Sequence, residues 1–103
     1  MPRDIIVVGA SAGGIEALTR LVALLPADLG AAVFVVQHVA PLRVSVLPKI
    51  LGRHAALPVS HAVDGEVVRR GHIYVAPPDQ HLLFARDGTV SLSRGPRENA
   101  SRP

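Results

Sequence analysis

Ser11 and His38 are the residues of this sequence best placed to do chemistry. Ser11 lies in Gly9-Ala10-Ser11-Ala12-Gly13, a Gly-x-Ser-x-Gly pattern between a buried-type apolar run and an amphipathic stretch. Small neighbours allow a sharp turn that exposes a serine hydroxyl. The free N–H groups and positive dipole end of the following helix would offer donors to an oxyanion. His38 closes the next apolar run, and an imidazole beside a serine can take its proton during attack and return it to the leaving group. The chemistry expected of the pair is nucleophilic catalysis on a carbonyl.

Two other readings compete for the same turn. Gly9-x-Ser11-x-x-Gly14 approximates the dinucleotide fingerprint, but Ser11 replaces the middle glycine that admits a pyrophosphate, and Gln37-His38 stands where the acidic ribose ligand belongs. Cofactor binding is therefore disfavoured. In the plainer reading Ser11 caps the helix and the glycines permit the turn. What favours catalysis over capping is joint placement: consecutive parallel strands are commonly neighbours about 5 Å apart, so their carboxyl ends share one crevice.

The elements that must position these residues follow from hydrophobic period. Asp4 to Gly9 is an apolar, β-branched run without alternation, the pattern of a strand buried on both faces. Ile15, Leu18, Val22 and Leu25 recur at helical spacing, and Pro26 ends that helix. Ala32 to Gln37 is a second strand, so residues 4–38 form a strand, helix, strand unit with a right-handed crossover. A second helix is expected from about Val44 to Arg53, with Pro48 in its first turn or kinking it. Short strands are expected at Ala56–His61, Gly65–Val68 and His72–Ala76. Leu82–Arg86 and Thr89–Ser93 flank Asp87-Gly88, which favours a two-residue hairpin turn.

Composition narrows the function classes. With 103 residues and 49% hydrophobic content, the chain is sized for one domain at most and is too apolar for disorder. No apolar run approaches the roughly 20 residues of a membrane span, and Asp4 interrupts any secretory leader. Absence of cysteine excludes disulfides, a thiolate zinc site and a catalytic thiol. Three aromatic residues and scattered arginines, gathered only at Arg94, Arg97 and Arg102, argue against a nucleic-acid surface. His54, His61, His72 and His81 lack metal-ligand spacing and read as surface or turn residues, while Asp64 and Asp79 read as turn caps. Neither a metal nor a cofactor is expected.

Four motifs in order, IVVGASAGGIEAL, VFVVQHVAP, GHIYVAPPDQHL and RGPRENASRP, resemble the CheB-type protein-glutamate methylesterase domain of bacterial chemotaxis, over essentially the whole chain. The resemblance implies an α/β fold, doubly wound, with a mostly parallel sheet and helices on both faces, joined here by a hairpin near residues 81–94. It implies a cytoplasmic serine hydrolase that removes γ-glutamyl methyl esters from the cytoplasmic helices of chemoreceptors and deamidates receptor glutamine. The family's nucleophile falls on Ser11 and its general base on His38; Ala12 stands where members often carry Thr.

The family's third catalytic member, an aspartate in a later Gly-Met-Gly-x-Asp-Gly-like stretch, has no counterpart among these residues. On this resemblance residues 1–103 correspond to the N-terminal portion of the catalytic domain, an incomplete domain with no receiver domain. A missing triad aspartate costs on the order of 10⁴ in kcat. The alternative is thus a catalytically inactive module that binds a receptor or partner. Apolar faces of the first helix and sheet are expected to be uncovered, to be met by a partner chain supplying the missing strands.

Overall fold

The computed structural model describes residues 4–11, 14–38, 41–77, 81–85 and 87–93, and at residues 10, 11, 37, 38, 41–45 and 81 it describes the backbone alone. The elements are β1 (Ile5–Ser11), α1 (Ile15–Leu24), β2 (Ala32–His38), α2 (Pro41–Gly52), β3 (Val59–His61), β4 (Ile73–Val75), β5 (His81–Phe84) and β6 (Val90–Ser93). Strands β1-β2-β4-β3 form a four-stranded parallel sheet in that order, and β5 and β6 pair antiparallel. No helix of the described residues is long and apolar enough to cross a membrane.

Strand alternation sorts the sheet into two faces. Val33, Val35, Ile73 and Val75 face the helices and form a core with Leu18 and Val22 of α1, Leu47 and Leu51 of α2, and Leu57. Ala32, Phe34 and Tyr74 face the other way, against Val68, Val90 and Ala62, with Leu82 and Leu92 packed alongside. The Phe34 ring stacks on Tyr74 at 4.8 Å and meets Phe84 edge-on at 4.7 Å. The expected α/β class with a mostly parallel sheet is therefore present. Within the described residues α1 and α2 share one face, and the hairpin covers the other.

Local chemistry explains the element ends. The α1 N-cap is Gly14, without a side-chain cap, so the capping position is not that of Ser11, which belongs to β1. Leu25 turns extended, at ψ 130°, because the residue before a proline avoids helical backbone. The second helix begins at Pro41, earlier than expected, since a ring-locked φ suits a first helical position. Pro48 is consequently interior, where it cannot donate to the carbonyl one turn back.

Several short elements differ from expectation. The third strand is confined to Val59–His61, and the strand expected at 65–68 reduces to an isolated antiparallel bridge between Val67 and Thr89. That segment is nonetheless tied to β6: Gly65 N–H donates to Val90 C=O at 2.7 Å, Val90 N–H to Glu66 C=O at 2.9 Å, and Val68 N–H to Gly88 C=O at 2.9 Å. The hairpin is present, but Ala85 N–H bonds Thr89 C=O, which leaves three residues in the loop rather than two. Gly88 takes φ +87°, and Asp87 accepts from the Thr89 amide and hydroxyl, which holds its carboxyl below the usual range. Asp79 and the arginines at 94, 97 and 102 lie outside the described residues.

Candidate active site

The first strand ends where the second ends. In the β1–β2 register Ser11 is the Cα partner of His38, the last pair of a ladder that begins at Ile5 and Ala32. Parallel neighbours of this kind lie about 4.8 Å apart. The two residues therefore occupy adjacent positions at the carboxyl end of the sheet, in the alternation of Val7 and Phe34.

Two further features open this end toward a reacting group. Helix α1 starts four residues beyond Ser11 at the N-cap Gly14, which makes no side-chain cap hydrogen bond, so the positive end of the helix dipole lies on the Ser11 side. Along β1 the hairpin leaves the sheet bare: Val7 is 59% exposed, and a Cβ built on Gly9 would meet nothing within 4 Å. Strand end, helix amides and open face together suit attack on a carbonyl whose oxygen becomes negatively charged.

The remaining sequence candidates are dispersed. Asp64 lies beyond β3, separated from β2 by β4, and its Oδ1 accepts the Leu92 amide at 2.6 Å, so it anchors the hairpin edge instead of capping a turn. His54 is exposed, and His61 is half-buried in β3. Among the described residues no group of three or more histidines and carboxylates could hold a metal ion.

One histidine departs from the surface reading. His72 is half-buried, with its Nε2 2.8 Å from Ser60 Oγ and its ring 4.4 Å from that of Tyr74. Burial, aided by Arg69 and opposed by Glu66, lowers its pKa, while burial raises that of Tyr74. The Tyr74 hydroxyl accepts the Arg69 amide at 2.8 Å. Alternation with Tyr74 was a usable signal for a shared face. The partner Ser60, 12 residues earlier, depended on β3 pairing with β4.

Comparison with known proteins bears on this arrangement. Residues 6–103 match the family model described as CheB methylesterase. Two proteins named protein-glutamate methylesterase/protein-glutamine glutaminase are similar: one from Methanosarcina mazei, 39% identical over 98% of this chain, and one from Symbiobacterium thermophilum, 39% identical over all of it. The chain spans 29% and 28% of their lengths. The crystal structure of the Thermotoga maritima CheB methylesterase catalytic domain superposes with a TM-score of 0.83 at 36% identity, over 90% of this chain and 51% of that one.

Proposed function

The chain belongs to the CheB methylesterase family, and on that premise we propose that it carries the nucleophile and base of a protein-glutamate methylesterase, Ser11 and His38. Residues 1–103 correspond, in this reading, to the N-terminal portion of the catalytic domain. The observation that carries the reading is the pairing of Ser11 with His38 at the carboxyl ends of β1 and β2.

The reaction is acyl transfer in two halves. Ser11 Oγ attacks the carbonyl of a γ-glutamyl methyl ester while His38 takes its proton. The helix-end amides receive the developing oxyanion, and His38 returns the proton to the departing methanol. Water, activated by the same imidazole, then hydrolyses the glutamyl ester on Ser11 and regenerates the enzyme. A glutamine side chain follows the same path with ammonia leaving, which matches the second activity in the relatives' names. The substrates are methylated cytoplasmic helices of chemoreceptors, and the working compartment is the cytoplasm.

Methanol release from a methylated receptor tests this reading in the full-length protein. Ser11→Ala and His38→Gln are each expected to reduce release by at least about 10³-fold. Unchanged release in Ser11→Ala would overturn it.

One observation favours a second reading, a receptor-binding module without turnover: Asp64, a described carboxylate that could stand in for the family's third catalytic member, gives its Oδ1 to the Leu92 amide instead. Receptor binding that survives in Ser11→Ala, with no methanol from the unmutated chain, would select that reading.

A further inference from the structure

We propose that Ser60 and His72 form an acid-sensitive clasp that fastens the outer strand β3 to β4, so that protonation of His72 loosens β3 and the strap of residues 62–71 that follows it. The geometry is local and complete. Ser60 sits opposite Tyr74 in the β3–β4 register, and its Oγ meets His72 Nε2 at 2.8 Å, one step diagonally along the ladder. The strand it fastens is three residues long and lies at the sheet edge, held by pairing to β4 alone within the sheet. So short an edge strand depends on side-chain anchors more than a central one does.

The groups acting on the imidazole come from each element around it. Strand β3 contributes Ser60, β4 contributes the Tyr74 ring, and the strap contributes Glu66 and Arg69. Neutral His72 exchanges a hydrogen bond with Ser60 in either tautomer. The cation would still donate to Ser60, but it must hold its charge in a half-buried place near Arg69. Glu66, whose charge acts on the imidazole more strongly than that of Arg69, offsets only part of the cost of burial. The net effect of burial and these charges lowers the affinity of His72 for a proton.

The direction of the pH dependence follows. A histidine whose folded pKa lies below its unfolded value binds fewer protons folded than open. The clasp is therefore fully stabilising above the unfolded pKa and loses that stabilisation as pH falls from there through the folded pKa. Loosening reaches the hairpin as well, because Gly65 and Val68 of the strap donate to Val90 and Gly88.

Native-state hydrogen exchange on the full chain, corrected for intrinsic rates, reads the clasp directly at two amides: Ile73 N–H, which donates to Pro58 C=O, and Ala62 N–H, which donates to Val75 C=O. Between about pH 7.5 and pH 5 their protection is expected to fall by about twofold or more, while Ala32 N–H, bonded to Asp4 C=O between β1 and β2, holds its protection. His72→Gln is expected to flatten the fall, and His54→Gln, at an exposed histidine outside β3 and β4, to retain it. A wild-type fall that survives in His72→Gln, or no fall, overturns the proposal. In the unmutated protein the fall in Ile73 protection must begin above the midpoint of the native His72 imidazole titration and level off below it; a fall confined to a different pH range also overturns the proposal.

Discussion

At Gly71 the backbone takes φ +71°, and a Cβ there would stand 3.5 Å from the Leu29 carbonyl oxygen. Left-handed backbone at a non-glycine residue costs of order 1–3 kcal/mol, so Gly71→Ala and Gly88→Ala should each lower unfolding free energy by about 1–2 kcal/mol in denaturant titrations. Gly9→Ala meets no neighbour and has no left-handed φ, so its stability should change by less than about 1 kcal/mol. The same contrast of commitment and freedom separates the acidic residues. Asp64 accepts the Leu92 amide across 28 residues of sequence, so Asp64→Ala should cost about 1 kcal/mol and Asp64→Asn, which keeps an acceptor oxygen, less. Thermal or chemical unfolding of the two variants distinguishes an anchoring oxygen from a mere charge. The clasp histidine and this aspartate were both read as surface or turn residues because their partners come from other elements.

At the scale of elements, period alone was enough for some and not for others. Helix α1 was readable because Leu18 and Val22 recur on one face and a proline follows. The start of α2 was not, because Pro41 and Pro48 both suit a first turn and only the packing of Leu47 and Leu51 shows which one begins the helix. Both leucines are fully buried, so Leu47→Ala or Leu51→Ala should cost about 2–5 kcal/mol. Leu24, 80% exposed at the end of α1, should tolerate Leu24→Lys within about 0.5 kcal/mol. The hairpin was readable from alternation around Asp87-Gly88, while its loop length depended on the Ala85–Thr89 hydrogen bond and one positive φ at Gly88. The segment at 65–68 reads as a short strand, with nothing in its period to say which strand it meets. It pairs with β6, since Val68 buries itself against Val90 and Tyr74.

For the whole molecule, the sheet order leaves β1 at one edge and β3 at the other. Strand β1 has the composition of a strand flanked on both sides, yet among the described residues it pairs with β2 alone, and its Ile6 and Val7 are exposed. An open apolar edge is a template for pairing. The 103-residue chain on its own should therefore associate reversibly with concentration, and Val7→Lys should shift sedimentation equilibrium toward the monomer. Concentration-independent mass in the unmutated chain would contradict that expectation.

Sequence by itself determined the phase of each segment and the order of strand, serine turn, helix and strand-end histidine, because apolar period and turn chemistry are local properties written into consecutive residues. It carried the family too, through four motifs spaced along the chain. Only the tertiary structure decided which phases meet: β4 inserts between β2 and β3, the hairpin packs on the Phe34 face, and His72 finds Ser60. Those outcomes depend on strand pairing across long separations, where many registers satisfy the same local pattern and burial of the whole core selects one.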